Sequence, residues 1–218
     1  GEQFFRFVNV TPGVVPSLLR DFSAPVRLNI KLSHADLAFL MAYDSNELNR
    51  WEAGQRYAAS VILDLIRANQ AGLAMEVPAA FREAFGAALV DPQVNKRFLA
   101  SLLALPVEPA LGDQMDVIDP PALHAARRFL RRQLAVLFKA EFLRLYHENN
   151  VPEPYRYEAE QIGRRSVKNL CLSYLSALED PEIIKLCVRQ YRAADNLTDV
   201  MAALLGVNDI DCPAREEL

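Results

Sequence analysis

The residues of this chain whose types could do chemistry are few and scattered. Its three histidines, His34, His124 and His147, stand far apart. "HENNV", residues 147–151, begins like the HExxH signature, in which two His one helical turn apart grip a zinc ion and the Glu serves as base. Val151 stands where the second ligand would be, and its side chain has no electron pair to give. Pro152 and Pro154 follow at once and break the helix that such a geometry needs. A zinc site is therefore not expected here, and His147 reads as an exposed residue that suits a helix C-terminus. The eight glycines hold no GxSxG elbow, P-loop or GxGxxG. Carboxylates are plentiful, but their spacing singles out no acid/base pair. No catalytic, cofactor-binding or metal-binding residue is expected in the chain.

Three further features compete for a functional role. The basic cluster Arg127, Arg128, Arg131, Arg132, Lys139 and Arg144 could form a cationic groove wall for nucleic acid or a peptide carboxylate. The expectation is instead a solvated, salt-bridged helix, since the positions spread over more than one face and lack interleaved aromatics. Cys171 and Cys187 lie among Leu, Ile and Val, where a free Cys acts as a small hydrophobe. With Cys212 they make an odd number without close ligand spacing, which suggests reduced thiols in the cytoplasm. The single tryptophan, Trp51 in "DSNELNRWEAGQRYAAS", could be a substrate platform. Ala53, Tyr57 and Ala58 lie at compatible helical spacings, and a core or interface role is the expectation.

The elements that must carry these residues are mostly helices. "VRLNIKL", residues 26–32, alternates Val26, Leu28, Ile30 and Leu32 with polar residues and predicts a half-buried strand, and "FFRFVNV" predicts a second. Two strands alone are marginal in water. From Ser33 the period becomes helical. Ser33 and Asp36 form a capping-box pattern, and a second helix is expected over about 46–69, ending near Gly72. Pro78 opens a third, Asp91 and Pro92 a fourth, and the run 119–150 should be the longest. Helices from Tyr157, from Asp180 and Pro181, and from Asn196 follow. Asp211 and Pro213 start one more near the end. About eight helices on short connections favour antiparallel pairs stacked as an α-solenoid-like array, although no strict sequence repeat is visible.

The totals narrow the function classes. With 51% hydrophobic and 24% charged residues in 218, the chain should fold around a sizeable core. A net charge of −4 gives a phosphate backbone or an anionic membrane no overall attraction. There is neither a leader pattern nor an apolar run of about 18 residues. Nucleic acid and membrane are not expected partners.

Four blocks, "VPSLLRDFSAPV", "LAFLMAYDSNELNRWEAGQ", "VIDPPALHAARRFLRRQLA" and "ADNLTDVMAALL", resemble in that order the C-terminal part of bacterial aminopeptidase N, an alanyl-type zinc aminopeptidase of the gluzincin class. The resemblance implies that residues 1–32 are the last strands of a β-sandwich and that 33–218 begin the helical C-terminal domain. It further implies a fragment of a broad-specificity enzyme whose zinc and substrate-amine loop lie elsewhere in the parent chain. Its partners would be the catalytic and β-sandwich domains of that chain and the peptide substrates. "GLAMEV", residues 72–77, echoes the family's exopeptidase loop but sits in a linker and lacks the Asn. On this basis the segment walls or gates a substrate chamber and is inactive alone. The competing reading is a free-standing helical-repeat module that binds protein or nucleic acid through its basic face.

Overall fold

The structure, a computed structural model, describes residues 4, 6–11, 13–26 and 28–218. Phe5 and Arg27, which fall within the two expected strands, lie outside the described residues, as do residues 1–3 and Pro12. Among the described residues no strand forms. The alternation in 26–32 nevertheless has a physical counterpart. Leu28, Ile30 and Leu32 face Leu40 and Ala53 across a small apolar groove. The Ile30 carbonyl accepts from Arg56 Nη2 at 3.1 Å. What a strand also needs, a neighbouring backbone ladder, is not supplied. Of the described residues before Ser33, Pro16, Ser17 and Leu18 share that groove with Leu28, Ile30 and Leu32, and one short 3₁₀ turn forms at Arg20–Phe22.

Eleven α-helices follow among the described residues, where about eight were expected. Helix α1 spans His34–Tyr43 and opens with the predicted capping box. Asp36 N donates to Ser33 Oγ at 3.1 Å, and Ser33 N donates to Asp36 Oδ2 at 2.9 Å. Helix α2, Glu47–Gln70, is capped by Asn46 and closed at Gly72, whose φ of 67° is in the left-handed region that glycine tolerates. Helices α3, Ala79–Leu89, and α4, Lys96–Leu103, follow. The Asp91-Pro92 pair does not open α4. Asp91 instead accepts from Gln93 N and Arg50 Nη1, both at 2.9 Å, and Asn95 caps the helix through Phe98 N at 2.8 Å.

A short helix that the sequence did not announce, α5 at Glu108–Gly112, precedes α6 at Pro120–Leu137, which Asp119 caps as expected. The long run 119–150 is interrupted at Phe138, where φ of −112° and ψ of 26° leave the helical region, and α7 resumes over Lys139–Asn149. Phe138 stacks on Phe85 with centroids 5.7 Å apart. Helices α8, Ala159–Ser176, α9, Pro181–Ala193, and α10, Leu197–Asn208, match the expected segments, with Asp180 and Asn196 as caps of the last two. The last helix, α11, spans Pro213–Glu217. Cys212, not Asp211, holds its cap position, and makes no side-chain cap bond.

Helix α1 packs on α2 and α3, α2 on α4 and α6, α4 on α8, and α8 on α7, α9 and α10. This succession of stacked helices is the solenoid-like arrangement that the pattern predicted. One continuous core runs from Leu37 to Val207. At its centre Phe85 meets Phe81, Phe138, Phe142 and Tyr174. The Tyr174 hydroxyl donates to Leu103 O at 2.6 Å, which ties α8 to the end of α4.

Candidate functional site

A cavity of about 520 Å³ opens where the end of α7, the connection 150–158, the first half of α8, the end of α9 and the start of α10 meet. Its floor is a closed polar network. Lys168, on the buried face of α8, donates to Asp199 Oδ2 at 2.7 Å, and both side chains are under a tenth exposed. Asp199 also accepts from Asn169 Nδ2 at 2.8 Å and Asn196 Nδ2 at 3.1 Å. Gln190 Nε2 donates to Asn169 Oδ1 at 2.8 Å and to Asp199 O at 3.0 Å, while its Oε1 accepts from Tyr146 OH at 2.9 Å. Burial pushes the Tyr146 phenol well above its ordinary range, which keeps it a donor. An ammonium taken out of water is tolerated only when it is paired and its partners are themselves bonded. Here each member holds the next.

The rim is different in kind. Arg164 reaches Glu153 at 2.8 Å and pairs with Glu160 one turn earlier on α8. Arg165 lies over the Tyr155 ring, 4.7 Å from its centroid, and donates to two neutral acceptors, Gln161 Oε1 and Arg156 O. Asp195 accepts from Tyr155 N at 2.8 Å. The side-chain bond from Asn196, then the Tyr155 amide, hold its carboxyl below the ordinary range. Arg189 lines the same cavity, is exposed, and makes no hydrogen bond or ion pair among the described residues. Asn149, only 4% exposed, leaves its Oδ1 without a donor.

A family model described as a domain of unknown function (DUF3458_C) with ARM repeats matches residues 34–218. The chain belongs to that family. Over 217 residues it is 36% identical to aminopeptidase N of Escherichia coli, covering all of this chain and 25% of the relative. Against aminopeptidase N of Caulobacter vibrioides it is 38% identical over 200 residues, 91% of this chain and 23% of the relative. A solved structure, Legionella pneumophila aminopeptidase A in complex with aspartic acid, superposes with a TM-score of 0.78 at 29% identity, over 93% of this chain and 24% of that one. The chain thus spans about a quarter of the length of the relatives it matches.

The residues that the sequence singled out are dispersed across this ARM-repeat domain. His34 contacts Ser60 Oγ at 2.7 Å and His124 contacts Glu108 at 3.0 Å. His147 alone of the three lines the cavity, and the residues of "HENNV" do not fit a zinc ion. Val151 offers no ligand, and among the described residues no group of three His, Cys, Asp or Glu is placed to hold a metal. Residues 72–77 connect α2 to α3 as a linker. Cys171 and Cys187 are buried free thiols that desolvation pushes up to about 12, which disfavours the thiolate that reactivity needs. No helix among the described residues is long and apolar enough to cross a membrane.

Five of the six members of the basic cluster are bonded within the fold, while the sixth, Arg131, has its Nε buried without a partner among the described residues. Arg127 Nε donates to Pro106 O at 2.8 Å, Arg132 to Ala177 O at 3.1 Å, Lys139 to Asp180 at 2.7 Å and Arg144 to Glu148 at 2.7 Å, and Arg128 pairs with Glu179. Arg128 and Arg132 fasten α6 to the end of α8, Lys139 ties α7 to the start of α9, Arg127 holds the chain before α5, and Arg144 pairs within α7, as a salt-bridged, solvated helix surface would.

Trp51 is not a core residue. It is 39% exposed, because Arg50, 7% exposed, takes the inward position at that turn of α2. Arg50 Nε and Nη2 donate to Met41 O and Ala42 O at 2.9 and 2.8 Å, and Asn49 Nδ2 donates to Leu18 O at 2.7 Å. The cavity itself was missed. Its signal was Lys168, a charge at helical spacing with the buried Cys171 and Leu175, with Asn196 and Asp199 three residues apart on α10.

Proposed function

We propose that this ARM-repeat domain is a non-catalytic part of a zinc aminopeptidase, one that walls the chamber in which peptides reach an active site carried elsewhere in a longer chain. The observation that carries the reading is the match of nearly the whole chain to a quarter of each of two bacterial aminopeptidases N. Zinc, the HExxH Glu and the site for the substrate amine belong, on this reading, to the catalytic domain. There the ion supplies a Lewis acid and an activated water. This chain's residues contribute a rigid surface: a hydrogen-bonded floor fixed by Lys168 and Asp199, and a rim bearing Tyr155, Arg165 and Arg189. Residues 1–32 would join it to a β-sandwich domain of the same chain, and the three free thiols suit the cytoplasmic setting proposed for the parent.

The test uses the full-length parent carrying Y155C together with C212S, labelled at the new thiol with a bulky maleimide. A label at the chamber wall should lower kcat/KM for peptides of four or more residues while leaving hydrolysis of an alanyl anilide unchanged. Equal rates on the long peptides before and after labelling would remove the wall reading.

A further inference from the structure

We propose that the cavity rim binds the carboxylate of a short peptide, with Arg189 and Arg165 as its anchors. The inference rests on the chamber reading for the identity of the ligand as a peptide, and on the charges around the cavity for the rest. Lys168 is neutralised by Asp199 at 2.7 Å, and Arg164 by Glu153 at 2.8 Å and by Glu160. That leaves two guanidiniums, Arg165 and Arg189, facing one carboxylate, Asp195, which already accepts from the Tyr155 amide and from Asn196. With Glu160 counted, four cations meet four carboxylates, so what marks the rim is not net charge but two guanidiniums, Arg165 and Arg189, that have no ion-pair partner among the described residues.

Guanidinium is the side chain best suited to a carboxylate, because its planar fork offers parallel N–H donors that match the two oxygens. Arg165 is already held in place. It lies over the Tyr155 ring and donates to Gln161 and Arg156, so little ordering remains for a ligand to impose. Arg189 is the free donor that can turn toward the ligand. The volume of about 520 Å³ exceeds what a lone carboxylate needs and lies within the range of pockets that enclose molecules of a few residues. Tyr155, 46% exposed, offers an apolar ring to the chain beside the carboxylate. The carboxylate could be the peptide C-terminus or an Asp or Glu side chain, and the chemistry at Arg165 and Arg189 is the same for both.

The test is an NMR titration of the ¹⁵N-labelled chain with three probes: trialanine as the free acid, trialanine amide, and N-acetyl-alanyl-aspartyl-alanine amide, whose one carboxylate is the aspartyl side chain. The acid should shift amides in 150–165 and 189–199, and the trialanine amide should not. Binding of the aspartyl probe as well assigns the site to any peptide carboxylate, and its absence assigns it to the C-terminus. Because Arg189 has no bond within the fold among the described residues, R189Q should keep the far-UV circular dichroism and lose about tenfold in affinity, the loss expected for one charge-assisted bond. An amide that binds as tightly as the acid, no shift from any probe, or an R189Q affinity equal to that of the parent chain overturns the inference. If labelling in the parent enzyme fails to slow long peptides but the acid binds here, the chamber reading falls and the carboxylate site stands. The reverse pair of results discards the site and keeps the wall.

Discussion

Lys168 lies on the inward face of α8, where an unpaired ammonium would cost several kcal/mol, and Asp199 is what makes the position tolerable. The two are not equivalent. Asp199 also collects Asn169 and Asn196, whereas Lys168 has only a long second contact, 3.4 Å to Asn150 Oδ1. D199A strands a buried cation and two amide donors, and urea unfolding should register a loss of about 3–5 kcal/mol. K168M leaves the carboxylate with two donors and should cost clearly less. Equal losses for the two variants would show that the network beyond the ion pair contributes nothing. The sequence carried part of this. A lysine on an apolar helical stripe announces a buried partner, but which of 28 acidic residues supplies it is decided by how α10 docks on α8, a long-range event that no local spacing records.

At the scale of the element, helix starts were readable wherever a side-chain oxygen had one available backbone donor. Ser33, Asn46, Asp119, Asp180 and Asn196 all cap as their positions imply. Asp91 misled because its carboxylate had a tertiary competitor, Arg50, and was drawn into a turn that left the capping to Asn95. That turn carries a pH signature. The Gln93 amide first, then Arg50, hold the Asp91 carboxyl below its ordinary range, although desolvation opposes them. A depressed carboxylate contributes stability that is present above its unfolded pKa and lost as pH falls through the folded one. D91N should therefore flatten the part of the acid-unfolding curve that lies below pH ~4. An unchanged curve would mean that the Asp91 interactions add nothing to stability. The break between α6 and α7 was illegible for another reason. No proline or glycine marks it, and at the break the Phe138 ring closes on Gly86, 52 residues earlier, where an added Cβ would come within 2.9 Å of it. In an open helix, replacing Gly by Ala gains about 1 kcal/mol. Here the ring is stacked on Phe85, and to admit a Cβ it must give up that stack, so G86A should lose about 1–3 kcal/mol. F138L in the same background should recover much of that. A stabilised G86A would show that the Phe138 ring yields to the added methyl at no cost.

At the scale of the whole molecule, repeat arrays can unfold piecewise, because each unit touches only its neighbours. The packing here resists that. Helix α2 reaches past its neighbours to α6, and α4 reaches α8, so the early helices share one core with the late ones. Phe85 is the crossing point, since its ring meets α7 through Phe142 and α8 through Tyr174, with the Tyr174 hydroxyl returning to the end of α4. The fluorescence of Trp51 reports on α2, near one end of this arrangement, while far-UV circular dichroism reports on all eleven helices. If the core is shared, the two signals should fall together in urea, at one midpoint and with one slope. F85A, which opens a cavity at the crossing, should move both midpoints down by the same amount, a loss of about 3–5 kcal/mol. A Trp51 transition that separates from the helical one in either protein would mean that the stack is held only by nearest neighbours, and that the aromatic cluster fills space without coupling the two ends.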